Sequence, residues 1–194
     1  MTILLIAGSP SEQSRSAALL DAVAAQLDPR RVPVDRLHIR DLAPQALLLA
    51  DVAHPSVARA LQQVERAQAL VIATPVYKAA YSGVLKVFLD LLPQTALKGK
   101  AVLPLATGGS PHHMLALDYA LRPVLQSLSA RHILPGVYAT DAQVPRGESG
   151  GYVVGEDIQA RLQDAVHTLV HDALRLPAAA SFAPVAFSQV RCSV

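Results

Sequence analysis

Ile3-Leu4-Leu5-Ile6-Ala7-Gly8-Ser9-Pro10-Ser11-Glu12-Gln13-Ser14-Arg15-Ser16 opens the chain and decides how the rest is read. Ile3 to Ala7 has the length and unbroken apolarity of a strand buried on both faces. An alanine-rich amphipathic run then continues to Leu27, so a strand feeds a helix through small hydroxyl residues and one arginine. In such a turn the backbone N–H groups converge, the helix dipole favours an anion, and serine hydroxyls with a guanidinium complete a phosphate cradle. A plainer reading stands beside it: Ser14 caps the helix and Arg15 is solvated.

The alternation continues along the chain. Apolar runs at Val32 to Ile39, Leu70 to Thr74, Ala101 to Ala106 and Ile133 to Tyr138 are separated by helical periods. These lie at Ser14 to Leu27, His54 to Ala67, Ser82 to Leu92, His112 to Ala130 and Glu156 to Leu174. Five strands alternating with five helices predict an α/β doubly wound parallel sheet with helices on both faces, and ligands at the strand C-terminal ends. The loops after the first, third and fourth strands then matter most. Asp41 to Ala53 reads as an extension offering a partner surface, Thr140 to Gly155 as a loop or lid, and the segment from Pro177 as a tail.

Length and composition set bounds. The chain has 194 residues, 52% hydrophobic and 16% charged, enough for one sizeable core, so one domain over residues 1–176 and a tail over 177–194 are expected. No apolar stretch reaches the ~18 residues of a membrane span, and the opening lacks a leader pattern, which places the chain in the cytoplasm and away from membranes. Cys192 is the single cysteine, so no internal disulfide forms. A net charge of +2 spread over scattered Lys and Arg argues against nucleic acid as a partner.

Neither GxxxxGK[ST] nor GxGxxG occurs in the first loop, which fits a mononucleotide such as FMN better than ATP or NAD. After the third strand, Pro75 stiffens the backbone where the strand ends and Tyr77 offers an aromatic plane; a surface turn with two half-buried tyrosines is the alternative. After the fourth, Thr107-Gly108-Gly109-Ser110 lets the backbone approach a flat ligand and presents N–H donors to negative charge at one ring edge. The adjacent His112 and His113 diverge, and His167 and His171 stand at i, i+4 without a third ligand, so no metal site is expected. The apolar excess around Phe88 to Leu92 and Leu115 to Leu128 points to a helix-packed oligomer interface.

Together these stretches resemble the NADPH-dependent FMN reductase family of flavodoxin-like proteins, and within it the reductase components of two-component alkanesulfonate monooxygenase systems. The similarity rests on LxAGSP…SRS (Leu5 to Ser16), ATPVYKAAYSG (Ala73 to Gly83), LDLLP (Leu89 to Pro93), LPLATGGS (Leu103 to Ser110) and LDYALRPVL (Leu117 to Leu125). It covers the chain to about Leu174. The resemblance implies strand order 2-1-3-4-5 and a homodimer or homotetramer. It implies FMN phosphate held by Ser9, Ser14, Arg15 and Ser16, with the isoalloxazine against Pro75, Val76 and Tyr77 and its other edge at Thr107, Gly108 and Gly109. It further implies reduction of FMN by NADPH and delivery of reduced flavin to a flavin-dependent monooxygenase in sulfonate-sulfur metabolism, with flavin as substrate or exchangeable cofactor. Hydride passes between cofactors, so no catalytic side chain is expected. The rival readings are a quinone or azo reductase that retains FMN and a flavodoxin-type electron carrier; such carriers are usually acidic, whereas this chain has a pI near 8.9.

Pro123 interrupts an otherwise helical pattern. It has no N–H for the carbonyl of Tyr119, so a π-bulge or kink is expected there. The resemblance implies that Tyr119 lies at a subunit interface near the flavin and keeps it exchangeable.

Overall fold

The computed structural model describes residues 2–148 and 150–175, so the expected tail and Cys192 lie outside the described residues. β1 (Ile3–Ala7) is buried along its whole length, with Ile3, Leu5 and Ala7 in one core and Leu4 and Ile6 in the other. That split explains the unbroken apolar run, because a strand covered on both faces has no polar side to show. β1 is flanked in parallel register by β2 (Val34–His38) and β3 (Ala69–Tyr77), and β3 in turn by β5 (Ala101–Gly108). α1 (Arg15–Leu27) and α6 (Glu156–Arg175) cover one face through Leu19, Val23, Ile158, Leu162 and Val166. The other face takes α2 (Pro44–Leu48), α3 (Pro55–Arg66), α4 (Gly83–Asp90) and α5 (Arg122–Ser127), through residues that include Ala46, Val57, Val64, Phe88 and Leu125. Among the described residues, no helix is long and apolar enough to cross a membrane.

The path β2-β1-β3-β5-β6 is the expected doubly wound, flavodoxin-like order, but with seven strands rather than five. The expected fifth strand is divided into β6 (His132–Ile133) and β7 (Val137–Thr140), both parallel to β5. The division falls at Leu134-Pro135-Gly136, where three residues face only Leu103 and Pro104 between the paired positions Val102↔Ile133 and Leu105↔Val137. Pro104 and Pro135 have no N–H to contribute to a ladder, so the extra residue is accommodated as a bulge. The Arg122 guanidinium reaches this break, donating to the carbonyls of Ile133 at 3.3 Å and Leu134 at 3.4 Å.

The other added strand is antiparallel. β3 does not end at Pro75 but runs to Tyr77, where Lys78 (φ 51°) and Ala79 (φ 63°) reverse the chain into β4 (Ala80–Tyr81). Two successive left-handed residues make the tight turn of a two-residue hairpin. The expected extension at Asp41 to Ala53 contains α2, which buries Ala46 and Leu47 and leaves Leu48 and Leu49 exposed.

The expected helix from His112 to Ala130 is three pieces: a 3₁₀ turn over Pro111–Leu115, a π-helical turn over Leu117–Leu121, and α5. The Arg122 N–H donates to the Leu117 carbonyl, five residues back, and the Asp118 carboxylate accepts from Arg122 Nε at 3.0 Å. The missing Pro123 N–H accounts for the break in α-helical bonding. Most of the apolar excess in these helices is core rather than free surface: Phe88, Leu89, Leu92, Leu117, Leu121, Leu125 and Leu128 are all buried. Met114, Leu115 and Tyr119 remain exposed.

Gly136 permits the bulge to pack. A Cβ there would meet Leu117 Cδ1 at 2.8 Å, Pro104 O at 3.1 Å and Pro104 Cγ at 3.4 Å, contacts with the π-helical turn on one side and backbone on the other. Gly136→Ala is therefore expected to destabilise the protein by about 1–3 kcal/mol in urea unfolding; stability equal to the parent's would show that the bulge does not depend on this close approach.

Candidate functional site

The chain leaves β1 at Gly8, whose N–H donates to the Ala73 carbonyl at 2.8 Å. A Cβ at Gly8 would lie 3.0 Å from that oxygen and 3.1 Å from Leu85 Cβ, so the crossing requires glycine. The Ser82 hydroxyl donates to the Gly8 carbonyl, and the Ser82 N–H donates to Thr74 Oγ1 at 3.0 Å. Thr74 and Ser82 are buried. These hydroxyls join the ends of β1 and β3 before either loop reaches solvent. Gly8, Thr74 and Ser82 stand inside the motifs read from sequence, but the joint they form was not legible there, because Ser82 meets Gly8 across 74 residues of chain.

The first loop follows from that joint. Ser9 is buried, and its Oγ accepts from the Ser11 N–H at 3.1 Å. Ser14 caps α1, accepting from the Ala17 N–H at 3.1 Å, and its hydroxyl lies 3.2 Å from that of Ser16. Capping therefore holds for Ser14, but Arg15 is not simply solvated. Its Nε donates to the Val144 carbonyl at 3.1 Å, its Nη1 lies 3.4 Å from Asp141 Oδ2, and its guanidinium stands 4.8 Å from the centre of the Tyr152 ring. The first turn of α1 carries no acidic residue. A helix N-terminus with hydroxyls, a held guanidinium and no carboxylate of its own has the donor chemistry that a phosphate needs.

Beside it, Pro75 and Val76 are half-buried and Tyr77 is exposed, on the last residues of β3 and stiffened by the β4 hairpin. Pro75 stands in register with Thr107, so the third loop and the diglycine loop leave the sheet together. Thr107 is buried. The two glycines then differ. A Cβ at Gly108 would meet the Tyr138 hydroxyl at 2.6 Å and Val76 Cβ at 3.3 Å, so Gly108 serves internal packing. A Cβ at Gly109 would find only Asp141 Oδ2, at 3.9 Å; the open approach to this turn is at Gly109. The Tyr138 hydroxyl donates to the Ser110 carbonyl at 2.6 Å, and burial, with a smaller contribution from the Asp141 carboxylate, raises its pKa above the ordinary tyrosine value.

The expected lid at Thr140 to Gly155 begins as a 3₁₀ turn over Asp141–Gln143, with Thr140 and Gln143 forming a reciprocal cap. It then folds back so that Arg146 bridges to Tyr152, and Tyr152 carries Arg15 on its ring. Tyr138, Asp141 and Tyr152 were missed by the sequence reading, since no local motif marks them. Among the described residues, no group of three or more His, Cys, Asp and Glu side chains is arranged to hold a metal ion.

Comparison with known proteins bears on this edge of the sheet. A family model described as NADPH-dependent FMN reductase matches residues 1–144. An FMN reductase (NADPH) of Escherichia coli K12 is 50% identical over 144 residues, 74% of this chain and 75% of the relative. One from Pseudomonas putida is 45% identical over 174 residues, 90% of this chain and 85% of the relative. A crystal structure of an NADH:FMN oxidoreductase (EMOB) in its apo form superposes with a TM-score of 0.79 at 42% identity, covering 92% of this chain and 91% of that one. With the phosphate-type loop, the hairpin and the diglycine turn on one sheet edge, these likenesses show that the chain belongs to the NADPH-dependent FMN reductase family, oxidoreductases that work with FMN and NADPH.

Proposed function

We propose that this chain hands the FMN it reduces to a separate flavin-dependent monooxygenase that takes sulfur from sulfonates, and that it does so in the cytoplasm as a homodimer or homotetramer. Residues 1–176 form the reductase domain in this reading. The observation that supports flavin binding in this reading is the meeting of three loops, after β1, β3 and β5, on the C-terminal edge of the sheet. When bound, the nicotinamide supplies a hydride and the flavin accepts it. The chain's own residues bind and orient: Ser9, Ser14, Arg15 and Ser16 anchor the phosphate, and Pro75, Val76 and Tyr77 bear the ring. Thr107, Gly108 and Gly109 bring backbone toward the ring's other edge, where donors oppose developing negative charge.

Tyr119 supports the exchange of flavin. It is 79% exposed on the π-helical turn, near the exposed Met114 and Leu115, and that turn packs against β4 beside the Tyr77 loop. An aromatic side chain held out by an irregular turn, next to apolar neighbours, has the character of a subunit contact.

Three measurements test this reading. Purified protein should oxidise NADPH at a rate that rises with added FMN; a preparation that turns over quinones on tightly retained flavin, or oxidises no NADPH, would favour a rival. Arg15→Ala should weaken FMN by about 1.5–3 kcal/mol in fluorescence titration while sparing riboflavin, which has no phosphate; equal weakening of both removes Arg15 from the anchor. Tyr119→Ala should lower the oligomer mass in light scattering, and an unchanged mass places the contact elsewhere.

A further inference from the structure

Arg15 is held from two sides that an entering phosphate need not disturb. Nε is engaged by the Val144 carbonyl at 3.1 Å, and the guanidinium plane lies against Tyr152. The remaining contact is of another kind. Nη1 faces the Asp141 carboxylate at 3.4 Å, and that same oxygen is the nearest atom to a Cβ built at Gly109, at 3.9 Å. Asp141 thus stands between the phosphate-type loop and the diglycine loop. Its side chain is 46% exposed, and that of Arg15 31%.

We propose that Asp141 is a resident competitor for the flavin phosphate, a carboxylate that occupies Arg15 when no phosphate is present and repels the phosphate when one arrives. The proposal rests on the reading of Arg15 as part of the phosphate anchor. An anion entering beside Arg15 takes over a guanidinium edge that Asp141 already neutralises, and then faces Asp141 as a like charge. At a half-exposed site the repulsion is screened but not abolished. Orientation of Arg15 does not require the carboxylate, since Val144 and Tyr152 fix the guanidinium. Asp141 therefore sets affinity rather than geometry, keeping FMN loose enough to leave.

The test is fluorescence titration of the full chain and its Asp141→Asn variant with FMN and with riboflavin. Asparagine preserves shape, and the Thr140–Gln143 cap does not use the Asp141 side chain, so the fold is retained; Asp141→Ala provides a second variant with the same expectation. FMN should bind both variants roughly three- to tenfold more tightly, with riboflavin unchanged. Unchanged or weaker FMN binding overturns the proposal, as does equal tightening of both flavins, which would place the carboxylate's effect on the ring through Gly109. Arg15→Ala separates the two levels. If it weakens FMN selectively while Asp141→Asn fails to tighten it, only the role of Asp141 falls; if it weakens both flavins equally, the anchor reading falls and this proposal with it.

Discussion

The close passage of Gly8 across β3 at Ala73 sets the position of the loops that leave the C-terminal edge of the sheet. Its N–H and carbonyl are both used within the protein, by the Ala73 carbonyl and the Ser82 hydroxyl, and neighbouring atoms leave no room for a side chain. Because buried polar groups must be paired, these bonds hold the first loop against the third. Ser9 and the cap at Ser14 build outward from one side of the joint, and the last residues of β3, running from Thr74 and Pro75 into the hairpin, build from the other. A site assembled from rigid strand ends presents its donors already aimed.

Three prolines shape the opposite flank. Pro104 and Pro135 deny donors to the β5 ladder and divide its neighbour, while Pro123 breaks the helix packed above. Arg122 links the two irregularities, pairing with Asp118 on the π-helical turn and donating to the carbonyls of Ile133 and Leu134 at the strand break. Tyr119 stands out of the surface at this coupled irregularity, so its exposure is a consequence of backbone chemistry on two elements.

Charged groups sort by sheet edge. Away from the candidate site, the Lys100 ammonium donates to the carbonyls of Glu65 and Ala67 at the end of α3, and burial lowers its pKa below the usual lysine value. Hydrogen bonds from His132 and His171 hold Asp172 below the ordinary carboxylate range, tying α6 to β6. These groups fasten helix ends. On the C-terminal edge, Arg15 and Asp141 pair across two loops, both partly exposed, and Asp141 lies beside the open approach at Gly109.

Local chemistry determined much of this protein from sequence alone. The apolar runs declared buried strands, Ser14 declared a helix start, and Pro123 declared a broken helix, because each rests on a residue's own backbone or its near neighbours. The loop after β1 and the stretch from Ala73 to Gly83 were recognisable for the same reason, as short contiguous motifs. The reading of apolar runs nevertheless carried one strand through Pro135-Gly136 and ended β3 at Pro75, since a bulge and a hairpin turn on Lys78-Ala79 depend on what lies opposite. Only the tertiary structure could assign Gly108 to packing on Tyr138 and Gly109 to open approach, or bring Val144 against Arg15 across 129 residues of chain. Asp141 and Tyr152 meet Arg15 because parallel crossovers deliver distant loops to one sheet edge, and that coincidence is a property of topology that no local pattern encodes.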